Sequence, residues 1–200
     1  MRIRHHVNPL ADLTEHRFAG FDNDKPIVLD IGADRGEFTE QLLKKFGKEK
    51  NFIVSEIRKP LAKKLQEKFK DYPNVKVFDG DIGRNFKKII CPSVKKGVLL
   101  ERVYINFPDP WFKERHKKRR VLNEKFLQSI FDWVQPETEW IFQTDQEKLF
   151  QETLEMLRSF SNIKITLFHQ PPYGFKTKWE EAQTEKGAKV YRAKFQFTAH

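Results

Sequence analysis

Two hundred residues with 38% apolar side chains, 19 of them Phe, and a formal net charge of +10 exclude a disordered chain and predict one domain over residues 1–200 with a proper core. The lone Cys91 excludes an internal disulfide and a cysteine zinc cluster, so no metal is expected. The N-terminus lacks a signal-peptide core and no apolar run nears the roughly 20 residues that span a bilayer, which predicts a soluble, cytoplasmic protein without a membrane partner. The positive balance favours an anionic partner, nucleic acid first and an acidic membrane surface second.

In chain order, "MRIRHHVNPL" reads as a basic arm within residues 1–20, where Arg2 and Arg4 are expected to order on an RNA and His5 and His6 to be surface residues. "IVLDI" (27–31) is a short buried-strand pattern, and Phe38, Leu42, Leu43 and Phe46 follow at helical spacing. Asp34 with Glu37 reads as a capping pair for that helix. A second strand is predicted over 51–57. Pro60 opens a helix with Leu61, Leu65 and Phe69 on one face. A third strand covers 74–81, and 84–97 reads as a turn or short helix followed by loop. A fourth strand, 101–107, runs into "PDPWFKERHKKRR". Asn123 caps a helix with Phe126, Leu127, Ile130, Phe131 and Val134 in its apolar stripe. A fifth strand (138–144), a helix through Leu149 to Phe160, a sixth strand (162–170), a polar stretch (171–189) and a seventh strand (190–197) complete the chain.

Strand and helix alternate five times before two closing strands. This predicts an α/β fold: an open, seven-stranded, mostly parallel sheet with an antiparallel C-terminal strand and helices on both faces. In such sheets ligands sit beyond the carboxyl ends of the strands. Asp30, Gly32, Glu56, Asp81, Asn106, Asp109 and Asp145 stand at those predicted ends.

Gly32 and Gly36 mark a strand-to-helix turn, but the spacing is not G-x-G-x-x-G and fails the dinucleotide fingerprint. Acidic groups after successive strands suit a ligand with an amine and a ribose. Asp30 can attract an ammonium, Glu56 can accept from two ribose hydroxyls and Asp81 from an adenine amine, a set that fits S-adenosyl-L-methionine. The bland alternatives are a turn role for Asp81 and a capping box from Thr144 ("TDQE") for Asp145.

"INFPDPWFKERHKKRR", with the later "QTDQE" and "TKWE", resembles the bacterial tRNA (guanine-N7-)-methyltransferase family over nearly the whole chain. The resemblance implies a Rossmann-like class I methyltransferase that uses S-adenosyl-L-methionine on tRNA, at guanine forty-six of the variable loop, as a monomer or homodimer. It implies that Asp30, Gly32, Glu56, Asp81, Asn106 and Asp109 serve the cofactor, that Asp109 is catalytic, and that Lys113, Asp145, Thr177, Lys178, Trp179 and Glu180 serve the substrate. Asp30 stands where the family often has Glu, Phe112 where proline is common and Trp179 where Phe is common.

Six cations fall between Lys113 and Arg120. Arg115, Lys117, Lys118, Arg119 and Arg120 are read as RNA phosphate contacts; the alternative is a solvated basic face. Trp111, Phe112 and Trp179 can each stack on a base or pack in the core. The rival functions are a nucleic-acid-binding module on an inactive methyltransferase fold and transfer to an exocyclic amine, whose motif Phe107 and Asp109 break.

Overall fold

The computed structural model describes residues 7–11, 18 and 20–198; the predicted basic arm around Arg2 and Arg4 lies outside them. Seven strands alternate with six helices: β1 Ile27–Ile31, α1 Glu37–Phe46, β2 Asn51–Ser55, α2 Lys59–Phe69, β3 Val75–Phe78, α3 Ile82–Val94, β4 Leu100–Asn106, α4 Glu124–Ile130, β5 Glu139–Thr144, α5 Glu147–Arg158, β6 Ile163–Leu167, α6 Lys178–Thr184 and β7 Tyr191–Phe197.

The sheet order is β3-β2-β1-β4-β5-β7-β6. β1 pairs in parallel with both β2 and β4, and β7 runs antiparallel to both β5 and β6. Strand order reverses between β1 and β4, so the connections that leave these neighbours diverge and open a crevice at their carboxyl ends.

Both sheet faces are covered, as the uninterrupted burial of β1 and β2 requires. The period of two splits β1: Ile27, Leu29 and Ile31 enter one core and Val28 the other. The first core packs α3, α4 and α5 onto the sheet around Trp140, which is fully buried. Its ring stacks on Phe86 at 5.7 Å and Phe195 at 5.5 Å. The second core joins Phe38, Leu42, Leu65 and Phe69 of α1 and α2 to Phe52, Val54 and Tyr104.

Three local expectations and one alternative change. Residues 84–97 are mostly helix: α3 is 13 residues long and buries Phe86, Ile89 and Ile90 at helical spacing. Asp81 caps the helix through the Gly83 and Arg84 amides, and Pro92 sits in its last turn. The polar stretch 171–189 holds α6, capped by Thr177 Oγ1 on the Glu180 amide at 3.0 Å. Asp34 and Glu37 do not cap α1, because left-handed Gly36 occupies the cap position without a side-chain bond. The Thr144 box, the alternative for Asp145, does not form: Thr144 Oγ1 accepts from Gln146 N at 3.1 Å, two residues on, and among the described residues no side chain caps α5.

Gly36 (φ 76) lies against α2: an added Cβ would fall 2.7 Å from Leu65 Cδ2 and 2.9 Å from Phe69 Cε2. Gly187 (φ 79) would place its Cβ in open space. Gly36→Ala therefore adds overpacking to backbone strain and is expected to lose about 2–4 kcal/mol in urea unfolding, against about 1 kcal/mol for Gly187→Ala. Equal losses would show that α1 shifts freely on α2.

Candidate active site

The sheet gathers the predicted acidic residues along its carboxyl edge. Asp30 is buried at 3% exposure and accepts from Thr39 Oγ1 of α1 at 2.7 Å. Burial is the main force that pushes its carboxyl up to about 6; the Thr39 bond pulls it down and the charge of Glu56 pushes it further up. The chain then turns at Gly32 (φ 74), where a Cβ would meet nothing within 4 Å, and the Gly32 amide donates to Ser55 O at 2.9 Å. The two glycines thus differ: Gly32 leaves space at the turn, and Gly36 lets two helices approach.

Glu56, just past β2, is 2% exposed. Its Oε2 accepts from the Asp34 amide at 3.0 Å, and its Oε1 from the Arg58 amide at 2.9 Å. Arg58 also grips both oxygens, Nε on Oε1 at 2.9 Å and Nη2 on Oε2 at 2.8 Å, and reaches Asp34 Oδ1 at 2.9 Å. Asp34 carries φ 53, a conformation that aims its amide at Glu56 and its carboxylate at Arg58. The bonds to Glu56 hold the Arg58 guanidinium charged. Asp81 caps α3 by accepting from the Gly83 and Arg84 amides.

At the end of β4 the backbone is strained. Phe107 (φ 51) and Trp111 (φ 40) both adopt left-handed conformations and flank Pro108, Asp109 and Pro110. For a bulky aromatic this costs roughly 1–3 kcal/mol, and such strain clusters at functional sites. The loop is pinned at both ends: the Phe107 amide donates to Gln143 O at 2.7 Å, and Arg120 Nε to Pro110 O at 2.8 Å. Asp109 is half-buried between those anchors.

The basic block divides by partner. Lys117 and Arg120 pair with Glu152 of α5 at 3.2 and 2.8 Å, so they secure the loop. Arg119 lies over the Trp111 ring at 5.0 Å, and His116 meets that ring edge-on. Lys113, Arg115 and Lys118 are exposed. Pro110, Trp111, Phe112, Lys113 and His116 line a hollow of about 250 Å³. Trp111 belongs to neither apolar core.

Beyond β5, Asp145 Oδ2 accepts from Trp179 Nε1 of α6 at 3.2 Å. Glu180 is fully buried and bonded to Arg192 of β7. Burial pushes its carboxyl up while the Arg192 charge opposes that push. Lys178 points outward to Glu181 at 2.9 Å. Asn106 Oδ1 accepts from Gln143 Nε2 at 2.6 Å.

Sequence reasoning missed Arg58, Gln143, Glu152 and Arg192. Arg58 had a signal, a cation two residues after a strand-end acid. Arg192 had none, because it alternates with Tyr191 and Ala193 at a position that reads as solvent-facing. Among the described residues no helix is long and apolar enough to cross a membrane, and no group of three His, Cys, Asp or Glu side chains converges as a metal site.

The family model Methyltransf_4, described as "Putative methyltransferase", matches residues 24–197. The tRNA (guanine-N(7)-)-methyltransferase of Staphylococcus saprophyticus is 31% identical over 184 residues, 88% of this chain and 84% of its own. That of Synechocystis is 31% identical over 211 aligned positions, 99% of this chain and 98% of its own. Among solved structures, a SAM-dependent O-methyltransferase from Thermotoga maritima superposes with a TM-score of 0.55 at 16% identity, over 88% of this chain and 62% of that one. This likeness shows a class I methyltransferase fold.

The buried Asp30 carboxyl gives the stability a pH dependence of defined sign. Its folded value of about 6 lies above the ordinary 3.8, so the folded protein binds the extra proton and stability falls as pH rises from about 4 to 6. Asp30→Asn removes that cost and is expected to gain about 2–3 kcal/mol over the parent at pH 8 and little at pH 4, read by urea unfolding. An equal effect at both values would place the ionisation of Asp30 elsewhere.

Proposed function

Because the chain belongs to the tRNA (guanine-N(7)-)-methyltransferase family, we propose that it methylates N7 of guanine forty-six in the variable loop of tRNA, with S-adenosyl-L-methionine as donor. The observation that carries this reading is the strained and doubly anchored Phe107–Trp111 loop, which holds the half-buried carboxylate of Asp109 beside the β1–β4 crevice.

The residues on the β1–β3 side fit the cofactor. The open side of Gly32 admits a ligand close to the backbone. Asp30 sits deep enough to take an ammonium, which would favour its ionised form. Glu56 has the chemistry for a pair of ribose hydroxyls, provided that Arg58 yields one edge of the carboxylate. Asp81, at the carboxyl end of β3, is the acceptor assigned to the adenine amine, and Asn106 and Asp109 close the site from β4. The bound cofactor supplies an electrophilic methyl group.

Guanine N7 carries a lone pair and no proton, so the reaction needs no general base. The protein must align N7 with the methyl group and favour the positive charge that develops on the base. Orientation of this kind supplies roughly 7–11 kcal/mol in the best intramolecular cases. Asp109 accepts from guanine N1–H or its amine and stabilises the growing cation. Asp145, Glu180 and the segment Thr177, Lys178 and Trp179 complete the base side, with Lys113 beside them. Taking the base out of its stack costs a few kcal/mol, and Trp111, already stacked with Arg119, offers a surface for a neighbouring base.

Two outcomes test this reading. Bulk tRNA incubated with labelled S-adenosyl-L-methionine should yield 7-methylguanosine and no other methylated nucleoside, and Asp109→Asn should keep tRNA affinity while slowing single-turnover methylation by about 100-fold or more. Near-parental turnover in that variant would remove Asp109 from the chemistry. Phosphate contact is assigned to the exposed Arg115 and Lys118 ahead of the anchored Lys117 and Arg120. Arg115→Ala with Lys118→Ala should flatten the salt slope of tRNA binding by about 1.4–1.8, and an unchanged slope would exclude both.

A further inference from the structure

A single guanidinium ties the two sides of the site together. Asn106 pairs with Gln143 across the β4–β5 ladder, and Gln143 with Arg192 across β5–β7. Arg192 is 7% exposed. Its Nε donates to Gln143 Oε1 at 2.8 Å, its Nη1 to His169 O at 2.6 Å and its Nη2 to Glu180 Oε1.

The order of donors and acceptors follows from one fact: arginine has five N–H groups and no acceptor. Gln143 must turn its oxygen toward Arg192. Its amide nitrogen is then committed to Asn106 Oδ1, at 2.6 Å. Asn106 is left with its N–H₂ group. Glu180, held through Oε1, is left with Oε2. Both Asn106 Nδ2 and Glu180 Oε2 are buried and have no hydrogen-bond partner among the described residues. A buried polar atom of this kind calls for a partner, and these two, of nine among the described residues, lie at opposite ends of one hydrogen-bonded chain.

We propose that Arg192, acting through Gln143, is a positioning residue that sets the polarity of the site: an N–H donor at Asn106 for an acceptor on the cofactor, and a carboxylate acceptor at Glu180 for a donor on the base. The proposal rests on the functional reading above. The methionine carboxylate is an acceptor without a proton and matches the Asn106 donor. Guanine has an N1–H and an amine to meet Glu180, whereas adenine N1 carries no hydrogen. The same cation therefore favours the cofactor in one direction and guanine over adenine in the other. Neither Arg192 nor Gln143 needs to touch a ligand for this.

Gln143→Glu is the discriminating variant. A glutamate there still accepts from Arg192 but cannot donate to Asn106, so the Asn106 amide must reverse and present oxygen in place of N–H. Calorimetry with S-adenosyl-L-methionine is expected to show at least a tenfold loss of affinity. Asn106→Asp, which replaces the same N–H by oxygen directly, should lose as much, and the double variant no more. Arg192→Lys keeps the charge but loses the fork. It should lower both cofactor affinity and kcat/KM for tRNA about tenfold or more, with the folded fraction checked by thermal melting. A purely structural role would shift only the melting point. Binding of the cofactor by Asn106→Asp or Arg192→Lys within twofold of the parent, or additive losses in the double variant, would overturn the proposal. If Gln143→Glu does not fold, the other two single variants decide it. Parent protein that binds the cofactor but leaves guanine unmethylated would sink the functional reading, and the calorimetric comparison would still judge this one.

Discussion

Asp30 and Tyr104 lie opposite each other in the parallel β1–β4 ladder, and the position of every candidate functional group follows from that pairing. β1 continues toward β2 on one side, while β4 continues toward β5 on the other. Helices leave in opposite directions from these two neighbours, so their carboxyl ends cannot be covered by either connection. The uncovered end carries Asp30 and Gly32 from β1 and the Pro108–Asp109–Pro110 turn from β4. Carboxylates far apart in the chain meet there because parallel strands point the same way.

Burial of charge at that edge follows one pattern. Glu56 and Glu180 are both almost completely enclosed, and each is met by an arginine, Arg58 and Arg192. An isolated buried carboxylate would be driven to its neutral form; a guanidinium with hydrogen bonds at suitable angles offsets the desolvation. The arrangements differ in use. Arg58 covers both oxygens of Glu56, whereas Arg192 takes one oxygen of Glu180 and spends its other donors on Gln143 and His169 O. Among the described residues Asp30 meets no cation and relies on Thr39, and burial leaves its carboxyl well above the ordinary range.

The β4 loop stores strain where the edge is most exposed to ligand. Two left-handed aromatic residues around two prolines would relax if the ends were free. The Gln143 carbonyl holds one end, and Arg120 holds the other while it also pairs with Glu152. Part of the basic run is therefore the scaffold of the loop, and the remaining exposed cations face outward. Of the six cations that follow Asp109 in the chain, Lys117 and Arg120 are committed to Glu152, Arg120 also to Pro110 O, and Arg119 to the Trp111 ring.

Much of this was legible along the chain. Hydrophobic periodicity marked all seven strands and four of the six helices, because burial on a face is a repeating, local property. Strand-end acids and the Pro-Asp-Pro-Trp turn marked the edge, and the resemblance they carried agrees with the family matches. Periodicity reads α3 as a turn or short helix followed by loop, and it misses α6, whose short polar helix has little apolar stripe to read. Asp34 reads along the chain as a helix cap, and capping is the alternative to a substrate role for Asp145; the two side chains are bound by Arg58 and by the Trp179 indole. Those partners lie 24 and 34 residues away in sequence. The sequence alone determined the order of elements, the chemistry of the edge and the charge it faces, since each depends on residue type and near neighbours. Only the tertiary structure decided which cations are bound, which carboxylates are covered and which way the amides of Gln143 and Asn106 point. A hydrogen bond has direction and needs its partner within about 3 Å, and strand pairing alone brings Arg192 that close.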